Sequence, residues 1–337
     1  MKQSIFRKLS LFLLILSLVM MGMIGCSADQ GKPEQSASGQ LSNPQTTAPT
    51  ENNPTKENAF PVTVKDGTGK EITVEKAPER IISLIPSNTE IIYALGYGDQ
   101  IVGVTSNDNY PEEVKNKEKV GDMNVDLEKV VSLHPDLVLA NQWHVTGQVD
   151  QVAKMREAGL NVLVVNDATS LNQVYESIRL LAKVTGTSDK GEEVIKGMQE
   201  RYRAVVEKAK TIPADKKKKV WVEISAPPEL YTTGKGTFMN ELLEAAGAIN
   251  VAADQEGWPK WTEEQAVAAK PDVILLTYDY VPNAVEEVKK RPAWKEVPAV
   301  KNGEIYQLNQ DTVSRPGPRL MDALEEIAKD VYPDVFK

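Results

Sequence analysis

Two histidines, His134 and His144, and a single cysteine, Cys26, are the chain's entire supply of imidazole and thiol. A multi-histidine zinc site and a disulfide framework are therefore both excluded. No Gly-x-Ser-x-Gly elbow occurs, and Gly234-Lys235-Gly236 lacks the third glycine of a dinucleotide loop, so neither an esterase nor a nicotinamide enzyme is supported. No nucleophile stands beside a base, and no catalytic residue, cofactor or metal-ligand set is expected. What the chain offers instead is flat, rigid and hydrogen-bonding side chains in the loops after its apolar runs. In the first half these are Ser87, Asn107, Tyr110, Asp122 and Trp143; in the second they are Tyr231, Trp258, Tyr278 and Arg315. Aromatic residues are only 6% of the chain, yet both halves place them in such loops. There they could clasp a large, partly apolar chelate at low entropic cost, or simply seal the two halves together. Arg315 suits a carboxylate, catecholate or phosphate.

Loops of this kind need a parallel sheet to hold them. Phe60 to Val64, Asp66-Gly67 and Glu71 to Val74 alternate and turn as a β-hairpin does. Ile81 to Leu84, a helix from Asn88 to Gly96 and the strand Ile101 to Val104 then make a βαβ unit. The second half repeats the order, with Val220 to Ile224 as strand and a helix ending at Gly247. A stronger repeat is Leu127 to Leu139 against Glu263 to Leu275, where a glutamate (Glu128, Glu264) opens a short helix, Pro-Asp ends it and an apolar strand comes next. Near a helix start each carboxylate complements the dipole. Between the halves, a helix from Ser170 stops at Gly186, and a second one runs from Ser188 to about Lys210. Its length, about 33 Å at 1.5 Å per residue, would brace the lobes as a rod. The expected fold is α/β: two similar doubly wound lobes joined by a single long rigid helix, with a short N-terminal hairpin.

The N-terminus carries an address. Lys2, Arg7 and Lys8 precede an apolar stretch ending in Met23-Ile24-Gly25-Cys26, the order of an export signal. From Ser27 to Glu57 the composition turns polar and cannot order itself by burial. The expected divisions are a signal peptide 1–25, a tether 26–59, a first lobe 60–186, a connecting helix 187–211 and a second lobe 212–337. Formal charge is −9 over 337 residues, which argues against nucleic acid as a partner.

Tandem lobes, one connecting helix, a lipobox-like Met-Ile-Gly-Cys and a polar tether together resemble the cobalamin and iron-siderophore class of ABC-transporter substrate-binding lipoproteins. The motifs that carry the resemblance are Arg80 to Glu90, Asp126-Leu127-Glu128 with Pro135-Asp136, Trp258-Pro259 before Glu263-Glu264-Gln265, and Arg315-Pro316-Gly317-Pro318-Arg319. The order and spacing look most like the cobalamin-binding members. The resemblance implies lipidation of Cys26, a monomer anchored on the outer face of the cytoplasmic membrane, and little lobe motion. It also implies a cobalamin or ferric-siderophore ligand, with haem less favoured, and delivery to a permease dimer with its ATPase through Glu128 and Glu264. Trp258 matches a corrinoid-contacting tryptophan, whereas Asn107 and Asp122 stand where the cobalamin binders place aromatics. Glu90 and Glu241 form a competing pair, read as helix-start residues. A surface-anchored hydrolase or adhesin with the same export signal is the reading from another class.

Overall fold

Alternation sets the hairpin that opens the folded chain. Strands β1 (Val62–Lys65) and β2 (Glu71–Val74) pair antiparallel, with Val62 opposite Val74, and bury Val62, Val64, Ile72 and Val74 while their neighbours face water. The Asp66 carboxylate accepts the Thr68 and Lys70 backbone N–H groups at 2.9 and 3.0 Å and pairs with Arg156, which pins the hairpin to the first lobe. The computed structural model describes residues 59–147 and 150–337. The expected signal segment, Cys26 and all but the last residue of the tether lie outside the described residues.

The first lobe holds strands β3 (Ile81–Ser83), β4 (Ile101–Val104), β5 (Glu118–Lys119), β6 (Leu137–Asn141) and β7 (Val162–Val165), all parallel in the order β5-β4-β3-β6-β7. Around them run α1 (Pro86–Ala94), α2 (Leu127–Ser132), α3 (Trp143–Thr146), α4 (Gln151–Glu157) and α5 (Leu171–Thr185). Alternate strand residues feed different cores: Ile81, Leu137 and Leu163 one, Ile82, Val138 and Val162 the other. A sheet covered on both faces is built this way. Helix α1 begins two residues before the expected Asn88, at Pro86, with no side-chain cap. Proline lacks the N–H that the first turn leaves unpaired and presets its φ, so it starts a helix without one.

Helix α5 ends on Gly186 in the left-handed region (φ 71°), and α6 (Ser188–Ala209) begins at once. The two helices meet closely at Gly191, where an added Cβ would lie 2.7 Å from the Ala182 methyl. The second lobe comprises α7 (Phe238–Ala245), α8 (Glu263–Ala268), α9 (Ala284–Lys290), α10 (Pro298–Asn302), α11 (Gln310–Ser314) and α12 (Leu320–Val331) around β8 (Lys219–Glu223), β9 (Leu230–Tyr231), β10 (Ile249–Asn250), β11 (Lys260–Trp261), β12 (Val273–Leu276) and β13 (Ile305–Gln307). Its main sheet is parallel, in the order β10-β8-β12-β13, with β9 and β11 as an antiparallel pair beside it.

Helix α6 packs on α5 on one side and on α7 and α12 on the other. Ile195, Met198 and Val205 of α6 belong to one apolar core with Leu181 of α5 and Leu242 and Leu324 of the second lobe. The braced two-lobe architecture is thus realised through shared burial. Internal repetition is also visible in three dimensions. His134 and Lys270 both turn at positive φ (45° and 49°) before a Pro-Asp pair. Each aspartate then accepts backbone N–H groups at the start of the neighbouring strand: Asp136 from Arg80 at 3.0 Å and Asp272 from Lys219 at 2.8 Å.

Candidate ligand cleft

The carboxyl ends of both main sheets open on one cleft of about 420 Å³, within the range of small-molecule sites. The first lobe supplies Ser87 and Asn88 after β3, Asn141 at the end of β6, Val165 at the end of β7 and the segment Asn166 to Thr169 after it. The second lobe supplies Ile224 after β8, Thr277 after β12, Phe238 and Met239 at the start of α7, Trp258, and the run Val313, Ser314 and Pro316. Apolar side chains alternate with hydroxyls and amides, and among the described residues Asp167 is the only charged one in the lining.

Local bonding fixes the polar wall. The Asn141 amide donates to Asp167 at 2.9 Å, and its carbonyl oxygen lies 2.6 Å from Nδ1 of buried His144. Burial pushes the His144 pKa down, only partly opposed by its bond with the Asn141 backbone. The Nδ1 contact orients the Asn141 side chain. Across the cleft, Trp258 meets Phe238 in an edge-to-face contact at 5.6 Å and remains 41% exposed.

Beside the cleft lies a charge cluster that joins the lobes. Glu90 of α1 is buried, and its carboxylate receives Arg315 at 2.8 Å and Arg319 through two N–H groups at 2.6 and 2.9 Å. Arg315 also pairs with Asp311 at 2.7 Å and donates to the Asn109 side chain and the Asn107 carbonyl. The Arg319 guanidinium stacks 4.0 Å from the centre of the Tyr110 ring. Glu90 was expected as a simple helix-start residue; it is instead the hub of an interlobe ion network. Its counterpart Glu241 also crosses between lobes, accepting the Leu171 backbone N–H at 2.9 Å at the start of α5.

The expected ligand residues are only partly brought together. Ser87 and Trp258 line the cleft. Trp143 lines a separate hollow of about 430 Å³ with Met123, Gln151 and Lys154. Asn107 and Tyr110 serve Arg315 and Arg319, and Arg315 itself is spent on carboxylates, so the free cation expected for an anionic ligand is not presented. Asp122 is exposed and accepts the Asn124 backbone N–H at 2.9 Å. Tyr231 sits in the β9–β11 pair. Tyr278 is 2% exposed, outside the cleft lining, with its hydroxyl donating to Glu223 at 2.7 Å. Glu223 is clamped by both Arg291 amino groups at 2.7 and 2.6 Å. Burial and the Glu223 charge push the Tyr278 phenol well up. Sequence reasoning missed Asn166 to Thr169, although Val162–Val165 is an apolar run like the others and the loop after it is placed toward the cleft for the same reason.

Glu128 and Glu264 occupy matching second positions of α2 and α8, and both are exposed. The caps are other residues: Asp126 accepts the Lys129 N–H, and Thr262 forms a capping box with Gln265. Glu264 is held below the usual carboxylate range by its own backbone N–H and the Thr262 hydroxyl. Neither glutamate forms an ion pair among the described residues.

The family model described as "Periplasmic binding protein" matches residues 81–312, more than half of the chain. A Bacillus subtilis (strain 168) protein named "Uncharacterized ABC transporter substrate-binding lipoprotein YvrC" is 48% identical over 282 residues, covering 84% of this chain and 89% of its own length. The solved structure of a possible iron-binding (periplasmic solute-binding) protein from Staphylococcus epidermidis is 34% identical, with a TM-score of 0.68, over 76% of this chain and all of that one. The vitamin B12 binding protein BtuF of Vibrio cholerae is 27% identical in its crystal structure, with a TM-score of 0.63, over 76% of this chain and 98% of its own. Lobes, cleft and matches agree: the chain belongs to the periplasmic binding protein family, as a non-enzymatic substrate-binding component of ABC transport.

Proposed function

We propose that the chain is an extracytoplasmic lipoprotein, anchored through Cys26 and the polar tether, that captures cobalamin in the interlobe cleft and hands it to a permease dimer. The observation that carries the ligand class is the charge of the cleft. Among the described residues its lining has one carboxylate and no cation, and Arg315 and Arg319, which lie outside that lining, are neutralised by Glu90 and Asp311. A ferric tricatecholate or the propionates of haem would call for uncompensated guanidinium or ammonium groups. A corrinoid with an amide-decorated rim instead suits a wall of Asn, Ser and Thr facing Trp258 and Phe238. A flat chelate larger than the cleft would leave its periphery in water. The Vibrio cholerae relative named for vitamin B12 supports the same reading.

Calorimetric titration with cyanocobalamin, a ferric tricatecholate and haemin tests it. Cyanocobalamin should bind at least about tenfold more tightly than the other two, a difference of about 1.4 kcal/mol; tighter binding of the tricatecholate would reverse the assignment. Docking is carried by Glu128 and Glu264, whose carboxylates are exposed and unpaired with cations among the described residues, the N-caps being Asp126 and Thr262. A Glu128→Ala, Glu264→Ala double variant should bind ligand as the wild type does and lose uptake in cells, and undiminished uptake would remove the docking role.

A further inference from the structure

We propose that Glu90 is a specificity-determining residue: by neutralising Arg315 and Arg319 at the edge of the cleft, it makes the protein discriminate against anionic chelates. The inference rests on the cleft being the ligand site. Ser87, Asn88 and Ile91, which share the turns of α1 around Glu90, line the cleft, and so do Ser314 and Pro316 on either side of Arg315. Arg315 thus stands within a segment that lines the cleft, and Arg319 joins it on the Glu90 carboxylate; without that carboxylate the two guanidinium groups would offer positive charge to an anion lodged beside them. They are not free. Glu90 and Asp311 balance them one for one, Glu90 has 2% of its side chain exposed, and Arg315 and Arg319 have 12% and 15%. A carboxylate buried in the first lobe therefore sets the charge that the second lobe shows to a ligand. The same bonds tie the lobes together, so stability alone cannot reveal this role; the ratio of affinities for two ligands alike in shape and different in charge can.

The probes are cyanocobalamin, which is neutral, and its monocarboxylate, in which one propionamide is hydrolysed to propionate, both titrated calorimetrically. Glu90→Gln leaves the cluster with one net positive charge. It should shift the affinity ratio toward the monocarboxylate by about tenfold or more, as expected for a unit charge a few ångströms away at an intermediate dielectric. Adding Arg315→Gln restores neutrality and should return the ratio to the wild-type value. An unchanged ratio in folded Glu90→Gln overturns the proposal, since a purely structural defect would weaken both probes alike. Should Glu90→Gln not fold, Arg315→Gln alone supplies the opposite test: the ratio should move against the monocarboxylate by about tenfold, and no movement overturns the proposal. A wild type that takes neither cobalamin would contradict the ligand assigned above, and the charge effect is then read with haemin against its neutral dimethyl ester. A protein that holds none of the four probes contradicts both statements.

Discussion

Glu90 and Glu241 stand at matching points of the repeat, in the first helix after the first sheet strand of each lobe, and each reaches into the other lobe. Their solutions differ. Glu90 is enclosed by two arginines, whereas Glu241 receives one backbone N–H and sits near Glu244, so burial and that neighbour push its pKa up while the Leu171 N–H opposes them. At Glu90 the lobes are joined by compensated charge, and at Glu241 by a single hydrogen bond beside their shared apolar core. A tandem repeat can thus supply equivalent carboxylates without equivalent tasks.

The sharpest way to break this contrast is to remove each carboxylate in turn and follow urea unfolding. Glu90→Ala leaves two partly buried guanidinium groups without their carboxylate and should cost about 3 kcal/mol or more. Glu241→Ala deletes one hydrogen bond and should cost about 1 kcal/mol. Equal losses would mean that the two carboxylates do equivalent work.

Asp330 on α12 refines the comparison by showing a carboxylate with neither solution. Burial, helped by the Glu326 charge, raises its pKa from 3.8 to about 6. A raised carboxyl pKa means that folding favours the protonated form, so this contribution to stability is present below the unfolded pKa and lost as pH rises through about 6. Asp330→Asn should therefore stabilise the protein at pH 7.5, by about 1 kcal/mol once its half-exposed position is discounted, with the gain vanishing near pH 4. A gain independent of pH would remove the charge explanation.

Local order was legible wherever a short-range rule governs it. The hairpin comes from alternation, the lobes from apolar runs punctuated by Pro-Asp, and α6 from its helical spacing after Gly186. Features that depend on distant partners were not. Nothing near Glu90 in the chain points to Arg315 and Arg319, more than 200 residues away, and a solvated helix start was the natural expectation. Tyr278 looked like a loop aromatic because the sequence does not show Glu223 and Arg291 closing around its hydroxyl. Ser87 and Trp258 line the cleft because each lies just after a strand or near a helix entry, positions that a doubly wound lobe turns toward it.

On the proposed reading the two lobes grip a chelate between them, with Trp258 as the second lobe's aromatic contact. Tryptophan fluorescence titrated with cyanocobalamin in the wild type and in Trp258→Ala tests it most directly. Saturable quenching in the wild type, and an affinity weakened roughly thirtyfold in the variant, a loss of about 2 kcal/mol, is the predicted result. The same curve from both proteins, or no saturation in either, would contradict the claim.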